Sequence, residues 1–328
     1  MLFEEQISRK PNNYPWTQTF IDKIWAGHWT PNEFDFKSDY HQFKKEMPED
    51  EKRIVVKTLS AIGQVEIAVK RFWANLGDNL PHPSMYDLGY AMANTEVIHN
   101  QAYEKLLDVL KLEKAFAENL EEPVVKGRVE YLRKYLAKVY EGDHKKQYIY
   151  AIILFTLFVE NVSLFSQFYN VLWFNRARNK LKDTAQQVQY TRNEEMIHAL
   201  VGIKIINTLR EEYPELFDED LKARILEECH SAFEAESQLI DWMVGDFADE
   251  YDGTALNATV LKEFIKDRIN QSLVQIGYDK PFETDEELLE KTSWFNEELL
   301  GNNMTDFFVK RPVEYSKKSR SFNEADLF

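Results

Sequence analysis

The sequence is poor in cysteine, since its 328 residues include only Cys229. A single cysteine cannot form an intrachain disulfide, so a reducing compartment, the cytoplasm, is the expected location. The first ten residues, MLFEEQISRK, lack the apolar core of a signal peptide, which agrees with that expectation.

Glycine and proline are also scarce, with 11 and 10 copies, and long stretches of the chain contain neither. Both residues disfavour helix interiors, so their scarcity predicts a mostly helical protein. The sequence shows no glycine-rich phosphate loop and no alternation of strand and helix patterns. These two absences argue against a nucleotide-binding α/β fold.

Basic residues are outnumbered, because 40 Lys and Arg face 56 Asp and Glu, for a formal net charge of −16. No basic run is sustained anywhere in the chain. Nucleic acid is bound through a cationic surface, so nucleic acid is not an expected partner.

One apolar run, residues 148–168, is long enough to suggest a membrane span. Carboxylates are rare inside membranes, and a span would place the second half of this run at or near bilayer depth. The run is therefore predicted to be a core helix of a large bundle, with no membrane association. The polar side chains of its second half are Glu160, Asn161, Ser163, Ser166 and Gln167.

Apolar spacing and end signals predict a series of helices after an irregular, aromatic-rich segment at residues 1–46. We expect residues 1–300 to form a single helical domain and residues 301–328 a flexible tail. The predicted helices run from 47 to Gly77, from a Ser84–Asp87 capping box to about Lys111, from Pro123 to near Gly142, over 145–174, from an Asp183 cap to just before Pro214, and over 218–244 and 257–276.

Two Glu-x-x-His motifs carry the chemistry, Glu96–His99 and Glu195–His198. Residues three or four apart share one face of a helix, so each motif presents a carboxylate beside an imidazole. Tyr103, four residues after His99, continues the first of these faces. Two further copies, Glu141–His144 and Glu227–His230, lie at a helix end and on a highly charged helix, and are expected to be surface pairs.

A single glutamate on an earlier helix precedes each motif, Glu66 before the first and Glu160 before the second. This is the ligand arrangement of ferritin-like dimetal carboxylate proteins. Four buried carboxylates would repel one another and be costly to desolvate, whereas two divalent cations would neutralise them. Oxygen ligands with one imidazole per ion suit iron or manganese. The alternatives are a helical bundle without metal, a ferritin-like iron store and a self-contained dimetal oxygenase.

With these residues placed, the chain resembles the small, radical-generating subunit of class I ribonucleotide reductase over nearly its whole length. The resemblance implies an all-α, ferritin-like bundle that forms a homodimer and works with a large catalytic subunit. The implied metal ligands are Glu66, Glu96, His99, Glu160, Glu195 and His198.

The same resemblance implies a route for the oxidising equivalent. Tyr103 occupies the position of the radical tyrosine, and Trp16 matches the tryptophan on the path to the large subunit, although composition alone suggests surface packing for it. Glu194 falls where the family usually has an aspartate that links this tryptophan to a ligand histidine. In the tail, Tyr315 matches the relay tyrosine, and the segment from Phe322 to Phe328 matches the peptide that docks on the large subunit.

Two departures from the family pattern bear on the metal. The first ligand is Glu66, where the di-iron tyrosyl-radical group and the flavodoxin-activated manganese group usually have aspartate. A glutamate there resembles the subgroups that use a manganese/iron or a dimanganese pair. Lys70, one turn beyond Glu66, would attract a small anionic oxidant such as superoxide if it points toward the cluster. We therefore expect two metal ions per chain, with a dimanganese pair favoured over a manganese/iron or a di-iron pair. The manganese/iron group typically replaces the radical tyrosine with phenylalanine, whereas Tyr103 is intact.

Overall fold

The structure is a computed structural model that describes residues 1–296, except for the side chains of residues 64–68. Its α-helices are α1 Trp16–Gly27, α2 Lys37–Lys45, α3 Glu49–Ala74, α4 Leu76–Asn79, α5 Pro83–Leu110, α6 Glu113–Asn119, α7 Pro123–Leu132, α8 His144–Leu154, α9 Phe165–Arg178, α10 Lys182–Glu212, α11 Glu219–Val244, α12 Ala258–Gln275 and α13 Glu286–Glu290. A π-helical segment, Phe155–Glu160, follows α8, and short 3-10 turns lie at Pro31–Glu33, Lys134–Leu136 and Pro214–Leu216.

The core is arranged around four long helical stretches, and the fold is the predicted all-α, ferritin-like bundle. α3 packs along α5, while α10 packs against α9 and the π-helical segment. The stretch His144–Arg178 is apolar and long enough to cross a membrane, but 94% of its apolar window is buried inside the protein. It lies in the core in the way predicted from its polar residues.

Three predicted helix-end signals are wrong. α5 is capped by the side chain of His82, which accepts from the backbone N–H of Ser84. Asp87, predicted to complete a capping box, instead pairs with Arg9. α3 ends at Ala74, and Gly77 lies inside the short helix α4 rather than ending the longer one.

Asp183 is likewise not the cap of α10, because the helix already begins at Lys182. The capping carboxylate comes from α2: Asp39 accepts from the backbone N–H and the hydroxyl of Thr184, each at 2.7 Å. Asp183 itself accepts from the backbone N–H of Phe36. The two acidic side chains thus fasten α2 to the start of α10.

Two predicted helices are interrupted. The third ends at Leu132, ten residues before Gly142, and a 3-10 turn follows it. The fourth changes to π-helix at Phe155 and breaks at residues 161–164 before α9 begins. The backbone N–H of Ser163 reaches back five residues to the carbonyl of Phe158, at 2.8 Å, which widens the helix there.

The last two long helices are confirmed within a residue of the prediction, with Asp218 and Asn257 as their caps. An antiparallel hairpin between them, β1 Asp249–Tyr251 and β2 Thr254–Leu256, was not predicted. Its turn is Asp252-Gly253, and both residues have positive φ, at 48° and 74°. An Asp-Gly pair is a strong signal for a two-residue hairpin turn, so the sequence did carry the information.

Candidate metal centre

The two predicted motifs meet in the core. α5 contributes Glu96 and His99, α10 contributes Glu195 and His198, and all four side chains are buried. Glu160, at the end of the π-helical segment, joins them. One potential ligand atom from each of Glu96, Glu160, Glu195 and His198 lies within 4.8 Å of the others.

Two of the carboxylates lie between the two imidazoles. Glu96 directs Oε1 to His198 Nδ1 at 2.8 Å and Oε2 to His99 Nδ1 at 3.3 Å. Glu195 repeats this arrangement, with Oε2 3.4 Å from His198 Nδ1 and Oε1 3.2 Å from His99 Nδ1. Glu160 faces only His198, with Oε2 3.4 Å from Nδ1. Such a set of carboxylates and imidazoles would hold divalent cations.

The outward-facing atoms of these side chains are held by neighbours. The indole Nε1 of Trp73 donates to Glu160 Oε1 at 2.6 Å. His99 Nε2 lies 2.7 Å from Glu194 Oε2, and His198 Nε2 lies 2.8 Å from the hydroxyl of Thr95. The Thr95 hydroxyl in turn donates to the carbonyl of Met92, so it accepts the Nε2 proton of His198. Such contacts fix the ring tautomer and aim Nδ1 at the site.

The donor set fits divalent cations. With the proton of His198 on Nε2, its Nδ1 lone pair faces carboxylate oxygens. Among the described residues, neither oxygen of Glu96 nor Oε2 of Glu160 receives a hydrogen bond. Buried acceptors without donors are costly, and a cation between them would satisfy them. Hard carboxylate oxygens combined with one imidazole per ion form a donor set that suits iron or manganese.

The pKa shifts have the same origin. Burial lowers the pKa of an imidazole, but the neighbouring carboxylates of Glu194, Glu195 and Glu96 outweigh it and raise the pKa of His99 well above its ordinary value. Burial and the nearby charge of Glu195 raise the pKa of Glu160 well above that of a free glutamate. The site therefore attracts positive charge strongly, whether as protons or as metal ions.

Glu194 connects the site to a tryptophan, but not to the predicted one. Its Oε2 accepts from the indole Nε1 of Trp29 at 2.8 Å as well as facing His99. The Trp29 ring also stacks on the imidazole of His99, with centroids 6.3 Å apart. Trp16, predicted for this contact, packs edge-on against Tyr14 and Phe20 instead. The prediction of a Trp16–Glu194 link is therefore wrong, because α1 directs Trp16 to an aromatic cluster while the following segment brings Trp29 to the ligand.

The remaining predicted residues are placed as follows. Tyr103 is buried on α5, one turn beyond His99. Lys70 is half-buried, and its Nζ donates to Asn100 Oδ1 at 3.2 Å, on the residue after His99. The side chain of Glu66, together with Tyr315 and the segment from Phe322 to Phe328, lies outside the described part of the chain.

The other two Glu-x-x-His pairs are exposed, as expected. Glu141 and His144 lie at the start of α8, and Glu227 and His230 face solvent on α11. Sequence reasoning missed Trp29, Trp73 and Thr95 as partners of the site. The His28-Trp29 pair was visible in the sequence, but nothing local indicated which tryptophan of the N-terminal segment would reach the core.

The fold and the site define a helical-bundle protein with a buried carboxylate–histidine centre suited to two metal ions. The family described as the small chain of ribonucleotide reductase matches residues 6–288. The chain belongs to this family. It is the radical-generating small subunit of a class I ribonucleotide reductase, an oxidoreductase component that works with a large subunit.

Relatives and solved structures agree with this assignment. The chain is 24% identical over 313 residues to the ribonucleoside-diphosphate reductase subunit beta of Halalkalibacterium halodurans, covering 93% of this chain and 87% of the relative. A putative class I ribonucleotide reductase from Bacillus halodurans has a TM-score of 0.75 and 23% identity over 86% of this chain and 99% of its own. The dimanganese(II)-NrdF of Streptococcus sanguinis has a TM-score of 0.71 and 16% identity over 88% and 99%. At these identities the two structures show that the fold is shared.

Proposed function

We propose that this small subunit holds two metal ions, with manganese favoured, at the buried centre. The observation that carries the proposal is the pair of carboxylates, Glu96 and Glu195, that each face both His99 and His198 through separate oxygens. Glu160 would complete the ligands beside His198. Glu66, from α3, would take the equivalent place beside His99, which agrees with its position in the family pattern.

When bound, the metal ions would supply a one-electron oxidant. The residues of this chain would hold the centre dry and carry the equivalent outward. Trp29, Glu194 and His99 form a continuous contact from the centre to the N-terminal segment. Glu194 accepts the protons of both rings on one oxygen, so it fixes the tautomer of His99 and the orientation of both rings. Trp29 therefore replaces Trp16 in the proposed path.

The outer part of the path is proposed from the family pattern. Tyr315 would relay the equivalent in the tail, and residues 322–328 would dock on the large subunit in the cytoplasm. Deletion of the last seven residues should abolish turnover with the large subunit while leaving the metal content unchanged. Full turnover of either that truncated protein or Tyr315→Phe would contradict the assigned role.

A homodimer is the proposed assembly of the small subunit. α5 exposes two apolar side chains on its outer face, Tyr90 at 58% and Val97 at 41% of their full accessibility. Exposed apolar side chains that cluster on one face favour a protein contact. Val97→Glu should shift the protein from dimer to monomer in a light-scattering measurement, and an unchanged mass would argue against this face.

The metal and the radical carrier are tested together by metal analysis and electron paramagnetic resonance on the activated protein. Two manganese ions per chain, a multiline metal signal and no organic radical would support the dimanganese proposal. Two irons with a tyrosyl signal that is lost in Tyr103→Phe would overturn it in favour of a di-iron centre. Failure of the reconstituted protein to bind any metal would overturn the site itself.

Lys70 is proposed to favour a small anionic oxidant near the centre. Its Nζ donates to the side chain of Asn100, which follows the proposed ligand His99 in the sequence of α5. Lys70→Gln should slow activation by superoxide and leave metal binding unchanged. Activation of the variant at the rate of the unsubstituted protein would remove this role.

A further inference from the structure

At the break after Glu160, the backbone carbonyls of Asn161 and Ser163 have no partners from the main chain of the described residues. Residues 161–164 connect the π-helical segment to α9. In this turn Phe165 donates to the carbonyl of Val162 and Phe168 donates to that of Leu164, so the regular bonding skips Asn161 and Ser163. Within the described chain, no backbone N–H reaches either of those carbonyls. Buried carbonyls need donors, and here two arginine side chains supply them.

The first carbonyl, that of Asn161, accepts a hydrogen bond from Arg268, on α12. Its Nε donates to the carbonyl of Asn161 at 2.8 Å, and its Nη2 donates to the Asn161 side chain at 2.5 Å. The guanidinium lies 3.4 Å from the centroid of the Phe165 ring, the first residue of α9. Arg268 thus contacts both ends of the turn that follows Glu160, at Asn161 and at Phe165.

The second carbonyl, that of Ser163, accepts a hydrogen bond from Arg128, on α7. Arg128 donates to the carbonyls of Ser163 and of Ala61, the latter at 2.7 Å. Its charge is matched by Glu236, 3.2 Å away, and both side chains are fully buried. Because Arg128 and its counterion Glu236 are both buried, the contact at Ser163 is rigid. The contact of Arg268 at Asn161 is the more adaptable of the two.

We propose that Arg268 is a positioning residue for Glu160. Glu160 is covalently joined to Asn161, and the indole of Trp73 donates to its carboxylate from the side away from His198. The Asn161 carbonyl sets the direction in which the π-helical segment ends, and with it the direction of the Glu160 side chain. Without the guanidinium that carbonyl would rotate to find water, and Glu160 would turn away from His198. The proposal rests on Glu160 being a metal ligand.

The substitution is suited to a test because Arg268 is half-buried and lines a small surface pocket with Asn161 and Gln271. Arg268 forms no ion pair with a buried carboxylate of the described residues, so replacing it leaves no such carboxylate without its cation. Removal of Arg128 would instead strand Glu236 and unfold the protein. The Arg268 variants therefore decide the proposal.

The experiment is a titration of the metal-free, full-length protein with Mn²⁺, in which free Mn²⁺ is followed by its electron paramagnetic resonance signal. Arg268→Met keeps the apolar stem and removes every donor. We expect one of the two manganese equivalents to bind about 10–100-fold more weakly, the range found when residues that orient a ligand are removed. Arg268→Lys, which retains one donor, should recover part of that loss.

The control is Arg224→Met, on α11, where the arginine pairs with the exposed carboxylate of Asp220. It should bind both equivalents like the unsubstituted protein. Binding of both equivalents by Arg268→Met with unchanged affinity would overturn the proposal, as would an equal loss in the Arg224 control. If the unsubstituted protein binds no manganese or iron, the proposed metal centre fails first, so the two failures are distinguishable.

Discussion

The two Glu-x-x-His motifs supply the same ligand types, yet the contacts behind their imidazoles differ. On α5, His99 is backed by the carboxylate of Glu194, and Glu194 is bonded to Trp29. On α10, His198 is backed by the neutral hydroxyl of Thr95, which ends on the backbone of its own helix at Met92. One imidazole therefore belongs to a chain of contacts that leads outward, and the other is closed off within the core.

This difference separates two tasks within a nearly symmetric site. A charged partner makes an imidazole more basic and couples it to whatever else that partner touches, whereas a hydroxyl only fixes its orientation. On the His99 side the hydrogen bonds run through Glu194 to the indole of Trp29 in the N-terminal segment. On the His198 side the indole of Trp73, on α3, donates directly to Glu160. Substitutions on the two sides should therefore affect different measurements.

The largest difference should come from Trp29→Phe. Phenylalanine keeps much of the aromatic packing against His99 but loses the indole N–H that bonds Glu194, and it is far harder to oxidise. We expect turnover with the large subunit to be abolished while two metal ions per chain are still bound. Turnover near that of the unsubstituted protein would show that the oxidising equivalent leaves by another route.

Glu194→Gln should give a smaller loss. The amide has the same shape, and its oxygen can accept from both His99 and Trp29, but it lacks the charge of the carboxylate. A loss of about 10–100-fold in turnover is expected, as for other residues that orient a metal-bound imidazole. Steady-state assays with the large subunit, combined with metal analysis, would measure it. An effect as complete as that of Trp29→Phe would mean that the carboxylate does more than orient the two rings.

Thr95→Val should act on metal binding rather than on the outward path. Valine matches threonine in shape but leaves the Nε2–H of His198 without its acceptor. We expect manganese affinity to fall by about tenfold, at the lower end of the range for such contacts, with turnover restored at high metal concentration. A turnover defect that excess metal does not repair would break the separation between the two sides.

The sequence predicted the centre well because its ligands obey local rules. Glu96 and His99 share a face of one helix by spacing alone, and burial followed from their apolar neighbours. The π-helical segment at Phe155–Glu160 has no such local signal, and the turn after it is held by remote side chains such as Arg268. The cap of α10 was missed because Asp39 is remote in sequence. The cap of α5 was missed because His82, although local, is not a common capping residue.

The gap between local and non-local information is clearest for the tryptophans. Trp16 and Trp29 both lie in an irregular, aromatic-rich segment, where no periodicity indicates which face is buried. The structure buries Trp29 almost completely and leaves Trp16 partly exposed. Only the fold of the whole segment over α5 and α10 decides which indole reaches Glu194.

Trp16→Phe should accordingly have the smallest effect in this series. The ring packs edge-on against Tyr14 and Phe20, and phenylalanine preserves most of that contact. We expect metal content and turnover close to those of the unsubstituted protein, with a loss of stability of about 1 kcal/mol or less from the smaller ring. Urea unfolding and the reductase assay would measure the two quantities. Loss of turnover with intact metal content would return Trp16 to the path and place two tryptophans in series behind Glu194.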